Sequence, residues 1–252
     1  MDVIGRLFGL DRGVVRRRGA DEAVLVVPGI TIGAAGRRAV LRFFDATPYD
    51  LYFVDYLFGA FLHRCSLPGA VAHLQAFIDA QELAAYPRLH VVANILGGWT
   101  FNLAQRERPL ANLACAVYDR SPIQERAPAA VSGLLPASTR ALFGSVVEDM
   151  AATPYPALSH PAARVGLLIE DRASLLMRVL RGPAMRMGPI SFAAHDFGQR
   201  HDDAIHLPLS HDGIYTGIRS YGPALLHFLR EGRFPADAVR SRYPGDPGRR
   251  WG

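Results

Sequence analysis

The sequence predicts an α/β fold: a doubly wound, mostly parallel sheet with a helical cap inserted over one end. Three observations predict it. Short, apolar, β-branched runs alternate with amphipathic segments from residue 22 to residue 119. Their order is strand, helix, strand, helix, strand, helix, strand, which implies parallel pairing with helices on the sheet faces. The chain has 252 residues, of which 50% are hydrophobic, enough for one sizeable core.

Each element follows from its own pattern. Residues 22–33, "EAVLVVPGITIG", form a β-branched run ended by Pro-Gly and read as a buried strand. Residues 35–46 place apolar side chains at 39, 40, 43 and 44, a helical spacing. Residues 49–57 read as a second strand. Residues 67–86 form a long amphipathic helix, with Pro68 in the first turn where proline is tolerated. Residues 88–98 give a third strand, followed by a helix from about Trp99 to Arg106, and residues 112–119 give a fourth strand. Right-handed crossovers would wind helices onto both faces.

The middle of the chain differs. Residues 120–163 hold several prolines and helical pieces but no strong strand. Residues 163–182 read as a helix, since Val165, Leu168, Ile169, Leu176, Val179 and Leu180 share one helical face, although the first half also fits a strand. Residues 120–187 are therefore assigned to a helical cap. Residues 188–197 read as a strand, and residues 221–234 as a closing amphipathic helix. The division is an N-terminal extension (1–21), a core (22–119 and 188–234), the cap (120–187) and a flexible tail (235–252).

Composition excludes several functions. The net charge is +5, and every basic residue is an arginine. Without a lysine amine there is no Schiff-base chemistry and no Walker lysine. The arginines are dispersed, so we expect no nucleic-acid partner. Val3, Ile4, Leu7 and Phe8 have helical spacing and read as a helix packed on its own domain, in preference to a membrane-surface helix. No apolar run reaches membrane-spanning length. The N-terminus lacks the apolar core of a secretory signal, and Cys65 and Cys115 read as buried thiols. A cytoplasmic location, no cofactor and no metal are expected. The polar run "HDFGQRHDD" (195–203) reads as a solvated loop.

Three stretches together resemble the α/β-hydrolase superfamily over roughly residues 22–234. "VVPGI" (26–30) stands where that superfamily has an oxyanion-hole loop. "ANILGG" (93–98) aligns with the G-x-S-x-G nucleophile elbow, with Ala93 and Gly97 at its two small positions. "LPLSHDG" (207–213) carries a histidine just before the last helix, where the superfamily has its catalytic histidine. One departure is plain. The nucleophile of the superfamily is Ser, Cys or Asp, and Ile95 has no heteroatom. Thr100 lies one turn too deep to replace it.

The resemblance implies a set of site residues. His211 is the expected general base. Asp203 is the preferred orienting acid, with Asp119, Asp196 and Asp202 as alternatives; Asp212 is expected to point elsewhere. Gly29, Ile30, Ile95 and Leu96 form the oxyanion loop and elbow, where backbone N–H groups converge on a carbonyl oxygen. Asn94, Trp99 and Arg120 are assigned to ligand binding, Arg120 because it lies just past the carboxyl end of a strand.

Two functions are carried forward. One is a non-hydrolytic, hydrolase-like protein that binds a small apolar carbonyl- or acyl-containing ligand or a protein partner. The other is a His211-dependent enzyme that works without a nucleophile on such a compound, by lyase chemistry, proton transfer or water activation. A conventional esterase using Ser210 or Ser121 ranks third.

Overall fold

A computed structural model describes residues 13–29, 33–54 and 65–242. Seven strands form one sheet: β1 (Val14–Arg16), β2 (Glu22–Val27), β3 (Asp50–Phe53), β4 (Arg88–Asn94), β5 (Leu113–Arg120), β6 (Arg164–Arg172) and β7 (Asp203–Ser210). Their order is β1-β3-β2-β4-β5-β6-β7. All neighbours are parallel except β1, which pairs antiparallel with β3. The sheet is thus of the predicted class.

Helices cover both faces because the strands are apolar on both sides, as parallel strands are. Helices α1 (Ala34–Asp45), α2 (Leu67–Ala80) and α3 (Leu96–Glu107) follow β2, β3 and β4, and α9 (Ile218–Glu231) closes the fold. Leu25, Val91, Ala93 and Leu167 belong to one buried cluster, and Val24, Val26, Val117 and Leu168 to the other. Truncating a fully buried leucine such as Leu25 costs about 2–5 kcal/mol.

The strand order fixes where a ligand can sit. From β2 the chain crosses to β3 on one side and then returns to β4 on the other. The carboxyl ends of β2 and β4 therefore flank a topological switch point, where open α/β sheets form their crevice.

Several expectations are corrected. Residues 163–182 are not one helix. Arg164–Arg172 is strand β6, inside the sheet, and only α7 (Leu175–Val179) and α8 (Arg181–Met185) are helical. A strand buried on both faces has a continuous apolar run, which periodicity does not separate from a buried helix. The cap is consequently shorter, with helices α4 (Ala127–Leu134), α5 (Pro136–Phe143) and α6 (Val146–Ala152). Residues 188–197 form no strand and end in a 3-10 turn, Ala194–Phe197. The edge of β6 that such a strand would need is taken by β7.

The extension and the tail are also partly in the fold. Val14–Arg16 is an edge strand, and the Arg17 guanidinium donates to the Tyr52 hydroxyl. After α9 the chain returns along β7, where His206 N–H donates to Val239 O. The expected N-terminal helix (3–8) and residues 243–252 lie outside the described residues. No helix among the described residues is long and apolar enough to cross a membrane.

Candidate functional site

The turn after β4 is the centre of the site. Ile95 sits there with φ 30° and ψ −92°, a conformation that β-branched residues strongly avoid. The chain reverses sharply into α3, whose first residue is Leu96. The N–H of that first residue has no acceptor within the helix. Gly97 permits the turn. A Cβ there would lie 2.0 Å from the carbonyl oxygen of Val27 and 2.9 Å from that of Pro28. Only glycine lets α3 approach the end of β2 this closely.

Ile95, Leu96, Gly29 and His211 line one side of a cavity of about 130 Å³. At about 30 Å³ per water, this holds one small organic molecule. The opposite wall is apolar and comes from the cap and α7: Ala127, Val131, Val147, Met150 and Leu176. Among the described residues, Gln124 is the one polar side chain of that wall.

His211 follows β7 and reaches back over the sheet. Its Nδ1 lies 3.5 Å from Glu170 Oε1 and 3.9 Å from Asp119 Oδ2. Its Nε2 faces Gly29, within 3.6 Å of where a Cβ on that residue would stand. Asp119 and Glu170 come from β5 and β6 and share a sheet face, because strand side chains alternate. The next residue, Asp171, points to the other face and binds the His206 ring at 2.9 Å.

The acids are buried almost completely, at 1% exposure for Asp119 and 0% for Glu170. Burial raises both carboxyls, Asp119 well above its ordinary range and Glu170 up to about 8, and the neighbouring Glu170 charge adds to the rise on Asp119. Burial lowers the His211 imidazole, against the opposing pull of the Asp119 and Asp212 charges. The imidazole is therefore held neutral, the form a general base requires.

The expected residues divide. Gly29, Ile95, Leu96 and His211 meet at the cavity, while Ile30 lies outside the described residues. The Gly29 N–H is already taken, because it donates to the Tyr215 hydroxyl at 2.8 Å. Asp203 is not beside His211. It opens β7, seven residues before Ser210, so about 23 Å of strand separates the two ends. There it accepts from Phe234 N–H and pairs with Arg240. Asp212 does point elsewhere, accepting from Leu175 N–H at 2.9 Å.

The three ligand-binding assignments do not reach the cavity wall. Asn94 is buried and donates to Asp119 Oδ2 at 3.2 Å. Trp99 packs edge-on against Tyr155, with ring centroids 4.3 Å apart. Arg120 is 1% exposed, pairs with Glu125, and lies 3.5 Å from the Tyr155 ring centroid and 4.9 Å from that of Phe197. The guanidinium secures the cap through Glu125 and Tyr155 and leaves Nη1 buried without a hydrogen-bond partner. In the polar loop, His195 is 81% exposed and faces only Asp196, so those residues do not converge.

Glu170 escaped the sequence reading. Its signal was present, an acidic pair inside the apolar run "VGLLIEDR". Read as a helix, that pair falls on a solvated face; read as a strand, it must be buried.

A sharp turn between a central strand and a glycine-packed helix, with a histidine after the last strand facing it, decides the fold. The chain has the α/β-hydrolase fold. Solved structures agree. An α/β-hydrolase enzyme from the metagenome of sediments of the Mar Chica lagoon, Morocco, superposes with a TM-score of 0.55 at 13% identity, over 87% of this chain and 94% of that one. An esterase of Pyrococcus furiosus gives 0.54 at 15% identity, over 86% and 84%. The mouse α/β-hydrolase domain-containing protein 10 gives 0.51 at 13% identity, over 86% and 93%. No family model and no curated protein sequence matches the chain. In this hydrolase-fold chain the elbow is present in backbone, with an isoleucine at its tip.

Proposed function

We propose that the chain binds a small, largely apolar carbonyl compound against the elbow and forms no covalent acyl-enzyme. The observation that carries this reading is Ile95 at the tip of the strained turn, lining the same cavity as Leu96 and His211. A hydrocarbon side chain makes no bond to a carbonyl carbon. The Leu96 N–H and His211 Nε2 remain to hold the oxygen, and the apolar wall takes the rest of the molecule. A protein partner remains the wider form of the same non-hydrolytic role.

The test compares the wild type, His211→Ala, Ile95→Ser and the double variant Ile95→Ser/His211→Ala. Each is given a panel of short-chain p-nitrophenyl esters and a fluorophosphonate label. The wild type is expected to be inert, and Ile95→Ser to label and turn over only while His211 is present. A labelled wild type would overturn the reading and locate a nucleophile elsewhere, Ser210 and Ser121 being the first to map.

A second reading has its own support. His211 has two buried acids behind Nδ1 and its Nε2 toward the cavity, the layout of a general base. Nε2 would take a proton from the carbon next to the carbonyl, and the Leu96 N–H would receive the enolate oxygen. Deuterium exchange into a small methyl ketone, followed by NMR, separates the two readings. Exchange that His211→Ala abolishes favours catalysis; ketone binding without exchange favours a binding protein.

A further inference from the structure

We propose that Asp119, Glu170 and His211 hold a divalent first-row transition-metal ion. The three residues lie at the ends of three successive strands, and they offer one imidazole nitrogen and two carboxylate oxygens that all lie within 4.8 Å of one another. Four of their atoms are buried without a hydrogen bond of good geometry, namely Asp119 Oδ1, both Glu170 oxygens and His211 Nδ1, although the Ser121 hydroxyl and the Asp119 carboxyl lie close to Glu170. Buried polar atoms are ordinarily satisfied, and a carboxylate left bare in the interior is among the costliest exceptions. Here the bare atoms are grouped on one point.

Charge and donor chemistry set the ion class. Once an ion displaces their protons, two carboxylates and a neutral imidazole sum to −2, which a divalent cation cancels. Among the described residues, Asp119 and Glu170 have no ion pair except with His211. Arg120, next along β5, points to the opposite face and pairs with Glu125. Calcium and magnesium prefer all-oxygen shells, whereas an imidazole with carboxylates suits manganese, iron, cobalt or zinc. Bonds of about 2.0–2.2 Å hold tetrahedral donors about 3.3–3.6 Å apart. The 3.5 Å between Nδ1 and Glu170 already fits, and the 3.9 Å to Asp119 Oδ2 must shorten by a few tenths of an ångström on binding.

An ion on Nδ1 changes what His211 does at the cavity. The ring proton is then fixed on Nε2, which becomes a donor to a carbonyl oxygen in place of a base. This consequence rests on the carbonyl-binding reading; the ion does not.

The experiment uses the full chain, stripped with a chelator and titrated with cobalt by absorbance and with zinc and manganese by calorimetry. The wild type should take up one ion per chain and melt at a higher temperature when loaded. Glu170→Gln and Asp119→Asn, which keep side-chain volume, should each bind at least tenfold more weakly. A His195→Ala/His201→Ala variant of the exposed loop should bind like the wild type. Three results overturn the proposal: no saturable uptake by the wild type, uptake lost in the loop variant, or uptake unchanged in Glu170→Gln. The first is measured on the unaltered chain, so a variant that folds poorly does not shield the proposal. Ketone binding measured on the metal-free protein tests the carbonyl reading separately.

Discussion

The backbone N–H of Ile95 donates to the carbonyl oxygen of Asp119 across 3.1 Å. The tip of the elbow is thus tied to the residue whose carboxylate stands behind His211. On its other side, the Ile95 carbonyl accepts from the N–H groups of Gly98 and Trp99. Held at both ends, the residue keeps a φ of 30° that costs on the order of 1–3 kcal/mol.

That strain makes a first prediction. At position 95 glycine should be more stable than alanine by about 1 kcal/mol, the reverse of their usual order. Comparing Ile95→Gly with Ile95→Ala removes the isoleucine side chain from both arms. Urea denaturation measures the difference, and an alanine variant equal to or better than glycine would show that no strain is stored there.

The second concerns the close approach of α3. Gly97→Ala should lose about 3 kcal/mol or fail to fold, because the new methyl meets backbone that has nowhere to go. Gly98→Ala meets the Tyr155 hydroxyl at 2.1 Å, the tip of a side chain that can shift, and should cost less. Thermal unfolding of the two variants tests the ranking.

Arg120 gives a third. Replacing it with methionine should cost about 3 kcal/mol, since it leaves the Glu125 carboxylate without its partner. Adding Glu125→Gln should recover part of the loss. Limited proteolysis should cut Arg120→Met within residues 121–160 sooner than the wild type, and equal cutting would sink the idea that this residue secures the cap.

The fourth concerns pH. Burial pushes the Asp50 carboxyl up, but the Tyr86 hydroxyl, the N–H groups of Arg18 and Ala20 and the Arg17 charge bring it below its ordinary 3.8. A carboxyl lowered by folding stabilises the native state above its unfolded value, and the contribution fades as pH falls through the lower, native value. Asp50→Asn should therefore be less stable than the wild type at pH 7, and the gap should close as pH drops below 3.8. A gap that is constant with pH would mean that its cause is not the charge.

How much of this was legible in the sequence depends on which force placed each residue. The strand at 88–94 and the turn into α3 announce themselves, because an apolar run must end where Gly97 and Gly98 let a helix pack. His211 was legible for a related reason, its position between the last strand and the last helix. Strand β1 was not, since three residues held by backbone pairing leave no side-chain period. Nor was the acid of the site. Asp203 and Glu170 look alike as letters, and only the pairing of β6 between β5 and β7 buries one while leaving the other at the far end of its strand. Pairing between distant segments is set by the whole sheet and by no local pattern.

The guanidinium packed between Tyr155, Phe197 and Glu125 also has a kinetic consequence. A cap secured from beneath does not swing open like a hinged lid. On the proposed binding role, a ligand would pass between side chains at the rim, where Leu176 is 46% exposed, by way of rotamer changes. Selection would show first in arrival and departure rates, with bulky compounds slow in both directions, before it showed in equilibrium affinity.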